Sequence, residues 1–254
     1  MEFTWSMALL VCPMAFLAGL MDAVAGGGGL ISLPAYLAAG LPPHMAAATN
    51  KCSSVFGAAV SAARFFRRGR VHPAALLSAP LALAGSWLGA LLNLRLPEQL
   101  LSWVMLGAVP VIGGVVLTRR DLGAESRVDR LSPRRLAALC ALIGFALGLY
   151  DGFFGPGTGT FLILAFSGLA GFDLLTASGN AKLVNLCSNL AAFAAFAWSG
   201  EIVWRLGLPA AACSILGHFL GSGLALTRGA KVIRPAFLLV LALLLLKLVW
   251  ALPG

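Results

Sequence analysis

Charge is what this sequence has least of. Asp, Glu, Lys and Arg make up 11% of its 254 residues, against about 25% in an ordinary soluble domain. So little charge cannot cover a soluble globule of this size, which excludes a cytosolic enzyme, a disordered chain and a nucleic-acid-binding domain. Acid is scarcer still, with 9 Asp and Glu against 18 Lys and Arg, for a net charge of +9. The basic residues gather between apolar runs, so they read as the Lys/Arg excess of cytoplasmic loops and not as a nucleic-acid footprint. There are 3 His. The 5 Cys form no C-x-x-C pair and lie inside apolar runs, so neither disulfides nor metal ligands are expected. A P-loop and a Gly-x-Ser-x-Gly elbow are both missing, which argues against direct use of ATP and against a serine-type hydrolase. No cofactor is expected.

Apolar residues dominate instead, at 60%, with a mean hydropathy of +0.94. They fall into long continuous runs and not into the short alternating segments of a membrane barrel. The expected fold is an all-α polytopic membrane protein in the lipid bilayer. Ten apolar elements can be placed, at about 7–23, 29–40, 44–64, 73–94 and 98–117, then at 136–152, 157–170, 174–198, 203–226 and 232–251. The first ends Ala23-Val24-Ala25 like a signal-peptidase site. The segment before it carries Glu2 and no Lys or Arg, and the element recurs in mid-chain, so cleavage is not expected.

That recurrence is general. Gly19-Leu20-Met21-Asp22 matches Gly148-Leu149-Tyr150-Asp151, and each runs on into glycine: Gly26-Gly27-Gly28-Gly29 in one case, Gly155-Pro156-Gly157-Thr158-Gly159 in the other. Lys51 then matches Lys182, Gly69 matches Gly200, and Gly85-x-x-x-Gly89 matches Gly217-x-x-x-Gly221. The chain therefore divides into a first membrane repeat at 1–118, a basic linker at 119–135 and a second repeat at 136–254. Five elements fall in each.

Loop charge sets the expected orientation. The Arg64–Arg70 loop is strongly basic, while its partner, Ser199–Arg205, holds one Arg and one Glu. Conversely Arg228, Lys231 and Arg234 face a partner region with only Arg95 and Glu98. Matching loops thus lie on opposite sides, with the basic ones and the linker cytoplasmic. That requires an odd number of crossings per half, hence inverted repeats. The second element of each half is too short for the roughly 20 residues of a full span. It is expected to be broken or re-entrant, and eight crossings compete with ten.

The residues costly in a membrane follow the repeat. Gly26–Gly29 and the Gly155–Gly159 segment break helices, and such breaks survive in hydrocarbon only when buried in protein or beside a watery cavity. Each precedes a helix start, whose free N–H groups and dipole suit an anion. Lys51 and Lys182 sit about eight residues into the third element of each half, at a cost of a few kcal/mol apiece. Ser178, Asn185 and Asn189 share the face of Lys182, and Ser54 and Ser61 that of Lys51. Asp22 and Asp151 stand at the breaks, able to cap the turn, pair with a lysine or carry a coupled proton; capping or pairing is favoured. His218 is a minor candidate, with Ser86 as its counterpart.

Asp22 with Gly26–Gly29, then Thr49-Asn50-Lys51, resembles the sulfite exporter TauE/SafE family. The second-half Asp151-Gly152-Phe153-Phe154-Gly155-Pro156-Gly157-Thr158-Gly159 and Gly179-Asn180-Ala181-Lys182-Leu183-Val184-Asn185 strengthen the resemblance. It implies a prokaryotic inner-membrane permease for sulfur-containing anions such as sulfite and organosulfonates. Gly27 stands where the second half has Pro156, so the half-sites need not bind alike. The expected function is a secondary transporter for a small anion, working by alternating access. Its expected binding residues are Gly26, Gly27, Gly28, Gly29, Asn50, Lys51, Gly155, Gly157, Thr158, Gly159, Asn180, Lys182 and Asn185. Asp22, Asp151 and His218 serve pairing or proton coupling. The alternatives are a structural or assembly subunit of a membrane complex, and an intramembrane enzyme built on Gly157-Thr158-Gly159 and His218. A homodimer is left open.

Overall fold

The structure, a computed structural model, describes residues 4–97, 126–233, 235, 236 and 239. The expected element at 98–117, most of that at 232–251 and the first part of the linker lie outside these residues. The regular structure of the described residues is helical. The helices are α1 (Trp5–Ala25), α2 (Gly29–Ala38), α3 (Pro43–Arg67), α4 (Pro73–Leu76) and α5 (Ser78–Arg95). After a short 3-10 turn at Val128–Arg130 come α6 (Pro133–Phe153), α7 (Thr158–Gly168), α8 (Leu174–Ser199) and α9 (Trp204–Arg228). Each matches an expected element to within about three residues, because the caps stand where the apolar runs begin. Pro43, Pro73 and Pro133 open their helices, where a missing N–H costs nothing. Asp173 caps α8 by accepting from Leu175 N–H and Thr176 N–H, each at 3.1 Å.

Five described helices are long and apolar enough to cross a membrane: α1, α4 with α5, α6, α8 and α9. Leu9, Leu142, Leu216 and Phe219 on their outer faces are exposed, as lipid contact requires. α3 has the length, 25 residues, but a polar stripe. Its Thr49, Asn50, Lys51, Ser53 and Ser61 are all buried, so the stripe faces protein.

The helices pack through glycine. α1 lies along α9 and α6 along α5. A Cβ on Gly217 would meet the Phe16 carbonyl at 2.1 Å, and one on Gly221 the Leu20 carbonyl at 2.4 Å. On the other side, a Cβ on Gly85 would meet the Phe145 carbonyl at 2.4 Å, and one on Gly89 the Leu149 carbonyl at 2.1 Å. Without strong hydrophobic drive in lipid, such small-residue faces let backbones close up.

The two ends of the bundle are well separated. At one, His72 N–H donates to Asn180 Oδ1 at 2.8 Å and Arg127 N–H to the Gly171 carbonyl at 2.6 Å. At the other, Val203 N–H donates to Thr49 Oγ1 at 3.1 Å, and His44 lies 3.2 Å from both Asn93 Oδ1 and the Leu96 carbonyl. α8 joins these ends; its 26 residues span about 39 Å. The turns at Gly69 and Gly200 are therefore at opposite ends. α1 starts beside Val203 and Leu206, whereas α6 starts at the His72 end, with Gly144 against Ser78.

Both helices stop at glycine. At Gly26 the chain takes φ +81° and returns its N–H to the Asp22 carbonyl at 2.8 Å. Gly155 and Gly157 take φ +91° and +83°, conformations open to glycine without strain. α2 then doubles back along α1, with Gly28 against Ala18 and Asp22, and Leu33 and Tyr36 clustered with Val11 and Ala15. The two breaks touch one another. Thr160 N–H donates to the Gly26 carbonyl at 3.1 Å, and Thr160 Oγ1 to the Ala25 carbonyl at 3.0 Å.

Candidate functional site

A polar cavity of about 30 Å³ lies beside the crossing breaks. Its walls come from every long helix except α5. α1 supplies Gly19 and Asp22, and the break and α2 supply Gly26, Gly28, Gly29 and Ser32. α3 contributes Asn50, Lys51, Ser53 and Ser54; α6 and its break contribute Asp151 and Gly155. Gly159, Asn185, Asn189, Ser214 and His218 close it from α7, α8 and α9.

Two buried ion pairs flank it, each joining the two halves of the chain. Lys51 Nζ lies 2.7 Å from Asp151 Oδ2 and donates to Asn189 Oδ1 at 2.9 Å. Lys182 Nζ lies 3.5 Å from Asp22 Oδ2 and donates to the Asp22 carbonyl. Asp22 has further partners. Its Oδ1 accepts from Gly28 N–H at 3.4 Å, and its Oδ2 is 3.5 Å from Asn185 Nδ2 and 3.2 Å from His218 Nε2. The first carboxylate thus caps the start of α2 and pairs with a lysine at once. Asn50 differs from these groups, since its buried Oδ1 has no hydrogen-bond partner.

The structure brings together most of the expected site residues. Asp22, Gly26, Gly28, Gly29, Asn50, Lys51, Asp151, Gly155, Gly159, Asn185 and His218 line the cavity. Gly27, Gly157, Thr158, Asn180 and Lys182 are not among its lining residues. Thr158 Oγ1 donates back to the Gly155 carbonyl at 2.7 Å, Gly157 turns the chain into α7, and Asn180 holds the distant turn at His72. Lys182 stands behind Asp22. Gly26 and Gly159 pack on each other: a Cβ on Gly26 would lie 2.1 Å from the Gly159 carbonyl carbon. Backbone contact between the breaks is thus one reason for these glycines. Ser32, Ser53, Asn189 and Ser214 join the site without having been counted in it. Asn189 was legible on the Lys182 stripe, and Ser214 stands one helical turn before His218. Among the described residues no group of three or more His, Cys, Asp or Glu could hold a metal ion.

The family model for the sulfite exporter TauE/SafE matches residues 11–248. The chain belongs to this family. It is 38% identical over 240 residues to a probable membrane transporter protein of Sinorhizobium, covering 92% of this chain and 89% of that one. A probable membrane transporter protein of Haemophilus influenzae is 38% identical over 245 residues, covering 96% and 94%. The probable membrane transporter protein YfcA of Escherichia coli K12 is 38% identical over 239 residues, covering 93% and 87%. No solved structure matches. The chain is thus a multi-pass membrane transporter of the TauE/SafE family, and its bacterial relatives fit the inner membrane.

Proposed function

We propose that this transporter is a secondary carrier of a small anion, a sulfur-containing one such as sulfite or an organosulfonate, which binds in the cavity beside the two breaks. The observation that carries the reading is the cavity itself. It sets the Lys51 ammonium and the glycine-rich start of α2 around one polar space, with the amides of Asn50, Asn185 and Asn189 in its lining. At 10–15 Å³ of such space per water, 30 Å³ has room for about two waters. A sulfonate is larger than that, so the cavity widens to admit it. Lys51 is the group to be captured, since it alone of the two lysines lines the cavity.

Alternating access follows from inverted repeats. α1 and α6 start at opposite ends of the bundle and their breaks meet between, which supports that reading. The reciprocal Gly-x-x-x-Gly contacts of α1 with α9 and of α6 with α5 support it too. Rocking one half against the other would expose the cavity first to one face and then to the other.

The test is flux in proteoliposomes containing the purified protein, across sulfite, sulfonates and sulfate, with and without a pH gradient. Saturable flux of a sulfur anion in preference to chloride is the expected result. A protein that moves none of them overturns the reading.

A further inference from the structure

His218 is held tightly beside the cavity. A Cβ on Gly57 would lie 2.3 Å from its Nδ1, and one on Gly19 would lie 2.7 Å away, so the ring has little freedom to turn. Both of its nitrogens face acceptors. Nδ1 is 3.0 Å from the Ser214 carbonyl, nearer than the Ser214 hydroxyl at 3.3 Å. Nε2 is 3.2 Å from Asp22 Oδ2. A backbone carbonyl and an ionised carboxylate only accept, and a neutral imidazole has one N–H to give. The neutral ring donates from Nε2 to Asp22 and accepts at Nδ1 from the Ser214 hydroxyl, while the doubly protonated ring donates from Nε2 to Asp22 and from Nδ1 to the Ser214 carbonyl. The ring thus has partners in place with one proton or with two.

The charges around His218 give the second proton a purpose. Asp22 faces it from α1, and Lys182 of α8 stands 3.5 Å from the same carboxylate oxygen. Lys51 of α3 and Asp151 of α6 line the same cavity. Arg64 of α3 lies about a turn further along, tied to the Phe219 carbonyl and to Ser222 Oγ at 3.1 Å. Around the cavity, two lysines cancel two aspartates. A monoanion arriving there would leave one uncompensated negative charge in a low-dielectric interior, which costs several kcal/mol. A protonated His218 returns the sum to zero. The site around Asp151 has no such group: Ser86, in the position matching His218, donates to the Ser188 carbonyl at 2.6 Å.

Resting on the anion reading above, we propose that Asp22 and His218 form a proton site and that one proton crosses the membrane with each monoanion. The proton comes from water on the face to which the cavity is open. It forms an N–H bond at Nδ1 directed at the Ser214 carbonyl, while Nε2–H stays on Asp22 Oδ2. It leaves to water on the other face when the cavity opens there.

The experiment uses methanesulfonate, whose charge is fixed near neutral pH, in proteoliposomes with the membrane potential clamped at zero. One-for-one coupling should accumulate it about tenfold per pH unit on the less acidic side, and an internal pH dye should report proton entry with it. In His218→Gln the accumulation ratio should fall to about one. A ratio at equilibrium does not depend on turnover, so a slow variant still reads. Tenfold accumulation by His218→Gln would overturn the assignment to this residue. If that variant fails to fold, the wild-type dye signal decides: methanesulfonate entry without proton entry overturns the proton site and leaves the anion reading standing. Absence of any flux of methanesulfonate, sulfite and sulfate would overturn the anion reading, and the proton site with it.

Discussion

The two carboxylates at the breaks do the same work in different company. Asp151 has one tight ammonium partner, Lys51 at 2.7 Å. Asp22 spreads its charge over Lys182, His218, Asn185 and the Gly28 N–H, all at 3.2–3.5 Å. The His218 part of the difference traces to two matched positions. Where the first half has Gly57, the second has Ser188; where the second half has His218, the first has Ser86. An imidazole fits against Gly57 because there is no Cβ to meet it, whereas Ser86 is small enough to sit against Ser188. These two positions account for the imidazole beside Asp22 and for its absence beside Asp151.

The comparison can be broken in order of expected effect. What the halves share is the contact between their breaks, so the largest loss should come from Gly159→Val. A side chain there collides with the backbone at Gly26, and no flexible group can give way. Destabilisation by more than about 4 kcal/mol is expected, seen as loss of monodisperse folded protein in detergent. A stable, active Gly159→Val protein would show that the breaks do not need to touch.

Next come the lysines. Lys51→Met strands Asp151 in the interior and should cost about 3–5 kcal/mol, read as a fall in Tm. Lys182→Met leaves Asp22 its other three partners and should cost clearly less. Asp151→Asn should recover most of the Lys51→Met loss, because no uncompensated charge is then buried. Equal losses for the two lysines would mean that the half-sites are not energetically different.

A smaller effect tests the exchange itself. Gly57→Ser forces a Cβ to within 2.3 Å of His218 Nδ1 and should cost about 1–3 kcal/mol by overpacking. Adding His218→Ser, which copies the arrangement of Ser86 against Ser188, should restore stability. Smallest is Ser86→Ala, which deletes the bond to the Ser188 carbonyl and should lower stability by about 1 kcal/mol.

Much of this frame is legible in the sequence, for physical reasons. Helix extents follow from apolar runs and from the prolines and Asp173 that open them, and the breaks follow from glycine. Lys51 and Asp22 stand out because charge in hydrocarbon demands a partner. Partnership across the halves is not legible, since it depends on how α3 and α8 rotate about their axes, and composition says nothing of that. The same rotation puts Asn180 on the turn at His72 and Lys182 behind Asp22, although both share a helix with Asn185. The contact of His218 with Asp22 is hidden for a different reason. Matching the repeats sets a Ser against it and so makes the His look incidental. The signal lay in reading two exchanges together, Gly57 for Ser188 and His218 for Ser86.

The most direct measurement is anion affinity in the double variant Lys51→Met with Asp151→Asn. That pair is neutral, so the fold is expected to stand while the cavity loses its nearest cation. If Lys51 holds the anion, sulfite or methanesulfonate should bind more weakly by about 1.5–3 kcal/mol, the worth of one charge-assisted contact, or roughly ten- to hundredfold in Kd. Unchanged affinity in a folded double variant would contradict the placement of the anion in this cavity.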